Sequence, residues 1–410
     1  MFRISMLVTL LVIGPSISIA KEPADTNYDE SKVPAYELPN ACIDNAGQPV
    51  GRDEWVAYRR AEVQRLFEDS VYGATPSQKL SVRYELVESD SNALGGAATR
   101  KQIAAFFGDE EYRIDILVYL PNNTVGPVAG FVGLNFSGNH TVHADPAIIE
   151  RDTGKERGAY ASRWQVEKVI GRGYALATVH RDQVDPDNYR HDFTDGIHPL
   201  FYREGQAKPE PTEWGSIGAW AWSLSRILDY LETDEQVDAS KVAVIGHSRL
   251  GKAALWAGAQ DTRFAMTISN DSGCGGAALY RRCYGERIHH MLKPVGYWFC
   301  TNHHQYQQKE ATLPVDQHML MALIAPRPLY VASATNDRWA DPKGEFLAAR
   351  HASPVYQLFD KPALSQDRLP APDQPIHTTI GYHLRTGAHD VTAFDWEQYL
   401  KFADRHFKKR

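Results

Sequence analysis

The sequence is poor in cysteine, has no excess of positive charge, and carries only one notable apolar run, at its start. Its four cysteines, Cys42, Cys274, Cys283 and Cys300, are too few in 410 residues to form a disulfide scaffold. Cys283 and Cys300 are close in sequence and could pair, but three pairing schemes exist and the sequence does not choose among them. Neither C-x-x-C nor H-E-x-x-H spacing occurs, so there is no metal signal, and no cofactor is expected. Lys and Arg total 44 against 51 Asp and Glu, a net charge of −7, which argues against a nucleic-acid partner. No internal repeat or low-complexity tract suggests a solenoid or a disordered tail.

The apolar run lies in "MFRISMLVTLLVIGPSISIA". Arg3 gives it a basic start, Met6 to Ile13 an apolar middle, and Ser18-Ile19-Ala20 a small-residue end. These are the features of a secretory signal peptide cut after Ala20. The run is too short to span a bilayer. The first cysteine is Cys42, which leaves none near the cut to carry a lipid. The expected mature protein is soluble, secreted or periplasmic, without a membrane partner, and a monomer. Residues 21–50 are polar and proline-bearing and read as an extended lead-in. Hydrophobic residues at 43% and charged ones at 23% describe an ordinary globule, and 51–410 is long enough for one large α/β domain with insertions.

Within that span, "EWVAYRRAEVQRLFEDSVYG" (54–73) puts Trp55, Val63, Leu66 and Phe67 on one helical side and ends at Gly73. "KLSVRYELVES" and "YRIDILVYLP" alternate as strands do, which predicts an antiparallel start to a sheet. "PVAGFVGLNF", "GYALATVHRDQVDPD", "KVAVIG", "RFAMTISND" and "RPLYVASATND" are further strands. Between and after them lie helices such as "GSIGAWAWSLSRILDYLET" and "DVTAFDWEQYLKFADRHF". Strands alternating with helices predict a doubly wound, mostly parallel sheet with helices on both faces. Active sites of such sheets gather at the carboxyl ends of the strands. The 140–210 stretch is rich in His, Asp and Arg; it could line a polar groove or form a solvated loop.

"VAVIGHSRLGKAALWAGA" (242–259) runs from a buried strand through a sharp turn into a helix. Gly246 and Gly251 bracket Ser248, whose hydroxyl would stand at the sheet edge in front of free helical N–H groups. A serine there could simply cap the helix. Two further strand ends make the chemical reading stronger. Asp337 follows "RPLYVASATN", and His389 lies in "GYHLRTGAHD" before the last helix. The order Ser, acid, His is that of the α/β-hydrolases. A serine hydroxyl needs an imidazole to take its proton, and the imidazole needs a carboxylate to fix its tautomer. Asp271 ends "AMTISN" and could equally supply that carboxylate, and Asn336-Asp337 could be a plain turn.

"GHSRLGKAALWAGAQDTRFA", "NDSGCGGAAL", "YGERI", "SATNDRWADPKGEF" and "RTGAHDVTAFDW" together resemble the glucuronoyl esterases, carbohydrate esterases of the α/β-hydrolase fold. The resemblance is specific over about 210–400. Its sharpest part, Gly-x-Ser-Arg-x-Gly-Lys, departs from the lipase elbow by placing the second glycine one residue later. It implies hydrolysis of the ester between 4-O-methyl-glucuronic acid of glucuronoxylan and lignin alcohols. Ser248 would be the nucleophile and His389 the base, and Arg249 would set a guanidinium beside the oxyanion, where a charged donor is worth most. Lys252, Glu286 and Trp339 match positions that hold the sugar hydroxyls and ring. Some relatives carry a glutamate as triad acid where this chain has Asp271, and others an aspartate matching Asp337. The shorter Asp271 side chain favours Asp337, with Asp271 in support.

Two other readings compete with this one. A sugar acetyl esterase on the same fold would have less use for Arg249 with Lys252, Glu286 and Trp339. A carbohydrate-binding protein without catalysis would have no need to keep Ser248, His389 and an acid together.

Overall fold

The computed structural model describes residues 23–109, 112–151, 154–188 and 192–408. The expected signal peptide lies outside the described residues. Among the described residues, no helix is long and apolar enough to cross a membrane.

Ten strands form one sheet: β1 Val82–Ala93, β2 Ala98–Phe107, β3 Tyr112–Pro121, β4 Val128–Asn135, β5 Ala175–His180, β6 Val237–His247, β7 Met266–Asn270, β8 Leu329–Ala334, β9 Ile376–His377 and β10 Ile380–Arg385. Their order across the sheet is β1-β2-β3-β5-β4-β6-β7-β8-β10-β9. β1 to β3 form an antiparallel meander joined antiparallel to β5. From β5 to β10 every neighbouring pair is parallel, and β9 closes the edge antiparallel. From β4 the chain passes first to β5 on one side and then to β6 on the other. That reversal opens a crevice at the carboxyl ends, the usual place for a site.

Alternation along each strand feeds two cores. Val242 and Val244 of β6 pack with the helices Ser216–Leu231, Arg249–Gln260 and Pro342–Gln357. Ala243 and Ile245 face the opposite layer, with the helices Val166–Gly171 and Ala393–Phe407. Helices on both faces explain why the central strands are apolar on both sides. This is the expected α/β-hydrolase architecture. β2 and the helix Pro342–Gln357 had no clear pattern in sequence: β2 ("ATRKQIAAFF") mixes charged and small residues although most of it is buried.

The first long helical stretch runs from Arg52 to Tyr72, with π-type turns at Trp55–Arg59 and Glu68–Tyr72, and stops at Gly73 with φ of 82°. Trp55, Val63 and Phe67 are fully buried, and Leu66 packs partly buried against the same core. The lead-in is mostly extended. It docks beside residues 282–286 through Asn27, whose carbonyl accepts the Gly285 N–H, and through Glu30, which pairs with Arg282 at 2.6 Å. The expectation that Cys283 and Cys300 could pair is not met: all four cysteines are free thiols. Burial raises the Cys283 and Cys300 thiols to about 11, so both stay protonated. The 140–210 stretch is more than a solvated loop, since it holds β5 and the short helices Ala161–Trp164 and Val166–Gly171.

Candidate active site

Ser248 sits between β6 and the helix Arg249–Gln260 with φ 56° and ψ −130°, a conformation that costs a non-glycine residue about 1–3 kcal/mol. The surroundings enforce it. The Ser248 N–H donates to the Asn270 carbonyl at 2.9 Å, and its carbonyl accepts from Gly251 and Lys252. Gly246 has to be glycine, because a Cβ there would lie 1.9 Å from the Leu250 carbonyl oxygen. The side chain is half-buried and, among the described residues, makes no capping hydrogen bond to its helix, which counts against the capping role. Such a turn can present a hydroxyl to a ligand.

His389 and Asp337 meet across two loops laced together by backbone bonds. Asn336 N–H donates to Gly387, and Thr335 N–H to Arg385. His389 Nδ1 lies 2.6 Å from Asp337 Oδ2, and Asp337 is buried while His389 reaches solvent. A proton on Nδ1 facing the carboxylate leaves Nε2 as an acceptor, the state a general base requires. The His389 ring packs on His247, the residue before Ser248, with centroids 4.5 Å apart. Burial, with His389 close by, holds His247 well below the usual histidine range, so it packs there as a neutral ring.

Asp271 is brought to the same place. Ligand atoms of Asp271, Asp337 and His389 all lie within 4.8 Å of one another. Its Oδ2 accepts the Asp390 N–H at 3.3 Å and lies 3.6 Å from the Arg385 guanidinium, while Oδ1 is buried without a hydrogen-bond partner among the described residues. Burial and the neighbouring Asp337 and Glu345 raise its carboxyl well above the usual range. Arg385 pins the histidine loop from behind, donating to the Ala388 and Asp390 carbonyls and pairing with Asp395.

On the other side of the elbow, Arg249 pairs with Asp187 at 2.5 Å, and its guanidinium lies 4.6 Å from the Trp298 ring centre. The Arg249 Nε is buried without a partner among the described residues. Lys252 is buried, and its ammonium donates to the Ser272 and Cys274 carbonyls and lies 3.4 Å from Glu286. Its three N–H groups are therefore already engaged, and a sugar hydroxyl would have to share or replace one of these contacts. Glu286 is tied to Trp339 through its N–H, which donates to the Trp339 carbonyl at 2.8 Å. Gly285, at φ 62°, permits that approach, because a Cβ would fall 2.4 Å from the same oxygen. The half-buried Trp339 stacks on His290 with centroids 5.2 Å apart. An apolar cleft lined by Phe136, Trp164 and Val391 adjoins His247.

Sequence reasoning missed His247, Arg385 and Asp187. Asp187 follows β5 in a run shared with Asp182 and Asp185, and nothing in the sequence sets it apart from them. Among the described residues, two groups of side chains converge as metal ligands would: the Asp271, Asp337 and His389 cluster, and Asp25 with His289 and His290. In the second group the His290 Nδ1 accepts the Arg287 N–H, which puts the ring proton on the Nε2 that faces Asp25. In the first, the His389 Nδ1 is engaged by Asp337. Both donor sets are those of hydrogen-bonded networks.

Residues 158–360 match a family model described as glucuronyl esterase, fungi. A carbohydrate esterase of an unknown prokaryotic organism is 46% identical over 98% of this chain and 97% of its own length. A 4-O-methyl-glucuronoyl methylesterase of Wolfiporia cocos is 37% identical over 86% of this chain and 79% of its own. The structure of a glucuronoyl esterase from Solibacter usitatus superposes with a TM-score of 0.88 at 48% identity, covering 92% of this chain and 100% of that one.

Proposed function

The chain belongs to the glucuronoyl esterase family of carboxylic ester hydrolases, and from that premise we propose how it works and on what. The substrate is an ester of (4-O-methyl-)glucuronic acid, as where glucuronoxylan is joined to lignin alcohols. Ser248 Oγ attacks the ester carbonyl while His389 Nε2 takes its proton. The tetrahedral oxyanion is met by the Arg249 Nε and by N–H groups at the start of the elbow helix. The intermediate expels the alcohol, which leaves with the proton from His389. Water then attacks the acyl-serine by the same route, giving back the free serine and releasing glucuronate.

The observation that carries this reading is the 2.6 Å bond from His389 to Asp337 beside the elbow. It favours Asp337 as the acid that orients the ring. Asp271, whose carboxyl burial and the neighbouring Asp337 push well above the usual range, has a supporting place behind it. Glu286 and Trp339 form the sugar side, with Lys252 fixing Glu286 and the 272–274 loop. The shallow cleft of Phe136, Trp164 and Val391 beside His247 offers an apolar face on the alcohol side of the ester. The single sheet running from 82 to 385 supports 51–410 as one catalytic domain, and the basic start, apolar middle and small-residue end of the first 20 residues support export after a cut following Ala20.

The test compares turnover of benzyl glucuronate, methyl glucuronate and acetylated xylan. Faster turnover of benzyl than of methyl glucuronate, with little release of acetate, is expected. A preference for acetylated xylan would make the protein a sugar acetyl esterase. No turnover of any of them, with no labelling by a serine-directed phosphonate, would make it a binding protein.

A further inference from the structure

The Asp187 carboxylate, beside the elbow, accepts four side-chain hydrogen bonds. Its Oδ2 accepts from the Arg249 guanidinium at 2.5 Å and from the Arg181 guanidinium. Its Oδ1 accepts from the Tyr297 hydroxyl at 2.6 Å and from the Trp298 Nε1 at 2.8 Å. The side chain is only 2% exposed. The four donors come from three separate parts of the chain: the turn after β5, the elbow helix, and the 297–298 segment. A carboxylate offers about four lone-pair directions, so this one is full and cannot rotate.

The consequence falls on Arg249. A free arginine side chain has many rotamers and would sample many directions from the elbow. Here the Trp298 face fixes the plane of the guanidinium, and Asp187 at its Nη1 fixes its rotation within that plane. The Nε is left buried and unpaired among the described residues. Arg249 shares Asp187 with Arg181, which also pairs with Asp182 at 3.1 Å, so the four groups form one ion-pair cluster that holds the Arg249 guanidinium from one end. Burial opposes the charge on Asp187, but the Arg249 and Arg181 guanidinia outweigh it and hold the carboxyl below the usual range.

We propose that Asp187 is a positioning residue for the reaction: it anchors one end of the Arg249 guanidinium so that the buried Nε donor is aimed at the oxyanion before substrate arrives. This rests on the reading of Arg249 as an oxyanion donor. It predicts that Asp187 matters to the transition state and little to substrate binding, and that its effect passes entirely through Arg249.

The experiment is a double-mutant cycle on benzyl glucuronate with Asp187→Asn, Arg249→Ala and both together, each checked for an intact fold by thermal melting. Arg249→Ala should lower kcat by roughly 10²–10³, the usual loss for one oxyanion donor. Asp187→Asn should lower kcat by roughly 10-fold or more with KM within about threefold, on the principle that a group acting only in the transition state changes kcat rather than KM. The double variant should be no slower than Arg249→Ala alone. Near-normal kcat in Arg249→Ala would overturn the oxyanion reading and this inference with it. An impaired Arg249→Ala beside a fully active Asp187→Asn would overturn this inference alone. So would losses that multiply in the double variant, because Asp187 would then be acting elsewhere. If Asp187→Asn does not fold, Asp187→Glu takes its place in the same cycle, since it keeps the charge but shifts it by one methylene.

Discussion

His389 Nδ1 lies 2.6 Å from Asp337 Oδ2, whereas the nearby Asp271 spends its contacts on the Asp390 N–H and the Arg385 guanidinium. The two acids therefore differ in role although both are buried beside one imidazole. Asp337→Asn removes the charge that fixes the tautomer and should lower kcat by about 10³–10⁴ with little change in KM. Asp271→Asn, which leaves the His389–Asp337 bond in place, should lower it by less than about tenfold. Steady-state kinetics on one glucuronate ester decide it. A dead Asp271→Asn beside an active Asp337→Asn would reverse the assignment.

Ser248 holds its strained backbone through N–H and carbonyl contacts, and its hydroxyl takes no part in capping the helix. Ser248→Ala should therefore melt within about 2 °C of the wild type, as surface-like substitutions do, while losing at least about 10³ in kcat. A variant that keeps a tenth of wild-type turnover would remove Ser248 from the mechanism.

Glu286 and Trp339 are joined through a backbone hydrogen bond at 2.8 Å. Glu286→Ala and Trp339→Ala should each weaken kcat/KM on glucuronate esters by roughly 10-fold or more, about the worth of one or two lost hydrogen bonds or a stacking face. Hydrolysis of p-nitrophenyl acetate, which has no sugar to hold, should change much less. Equal losses on the two substrates would make the pair structural.

Glu345 is buried behind the site, where its carboxylate accepts from the Gly273 N–H and the Ser333 hydroxyl. Burial, reinforced by Asp337 and Asp341, raises its carboxyl to about 8 from an ordinary value of 4.5. Between those two pH values the unfolded chain has released this proton and the folded one still holds it. Stability therefore falls as pH rises from about 4.5 to about 8 and then levels off. Glu345→Gln mimics the protonated form, so the drop in melting temperature between pH 5 and pH 9 should shrink in the variant. An undiminished drop would mean that Glu345 is already ionised in the folded protein.

The sequence by itself determined the layered architecture and the chemical parts of the site. Apolar central strands, amphipathic helices and the order Ser248, Asp337, His389 are local features, each readable within a short stretch. A glycine before the serine is demanded by a contact four residues away, and so it too was legible. What remained open depended on distance through space. Whether Asp271 or Asp337 meets His389 turns on how the loops after β7, β8 and β10 cross, and both acids end strands in the same way. That the Lys252 ammonium meets the Ser272 and Cys274 carbonyls beside Glu286 is likewise a matter of the fold. Cys283 and Cys300, close in sequence, remain separate thiols because neighbours along the chain need not be neighbours in space. Asp187 lies 62 residues before Arg249, among other acids of the same kind, and only the tertiary structure makes it the anchor of that guanidinium. Short-range chemistry is written in local patterns, while partner choice among equivalent charged groups is made by the packing that brings one of them to within hydrogen-bond reach.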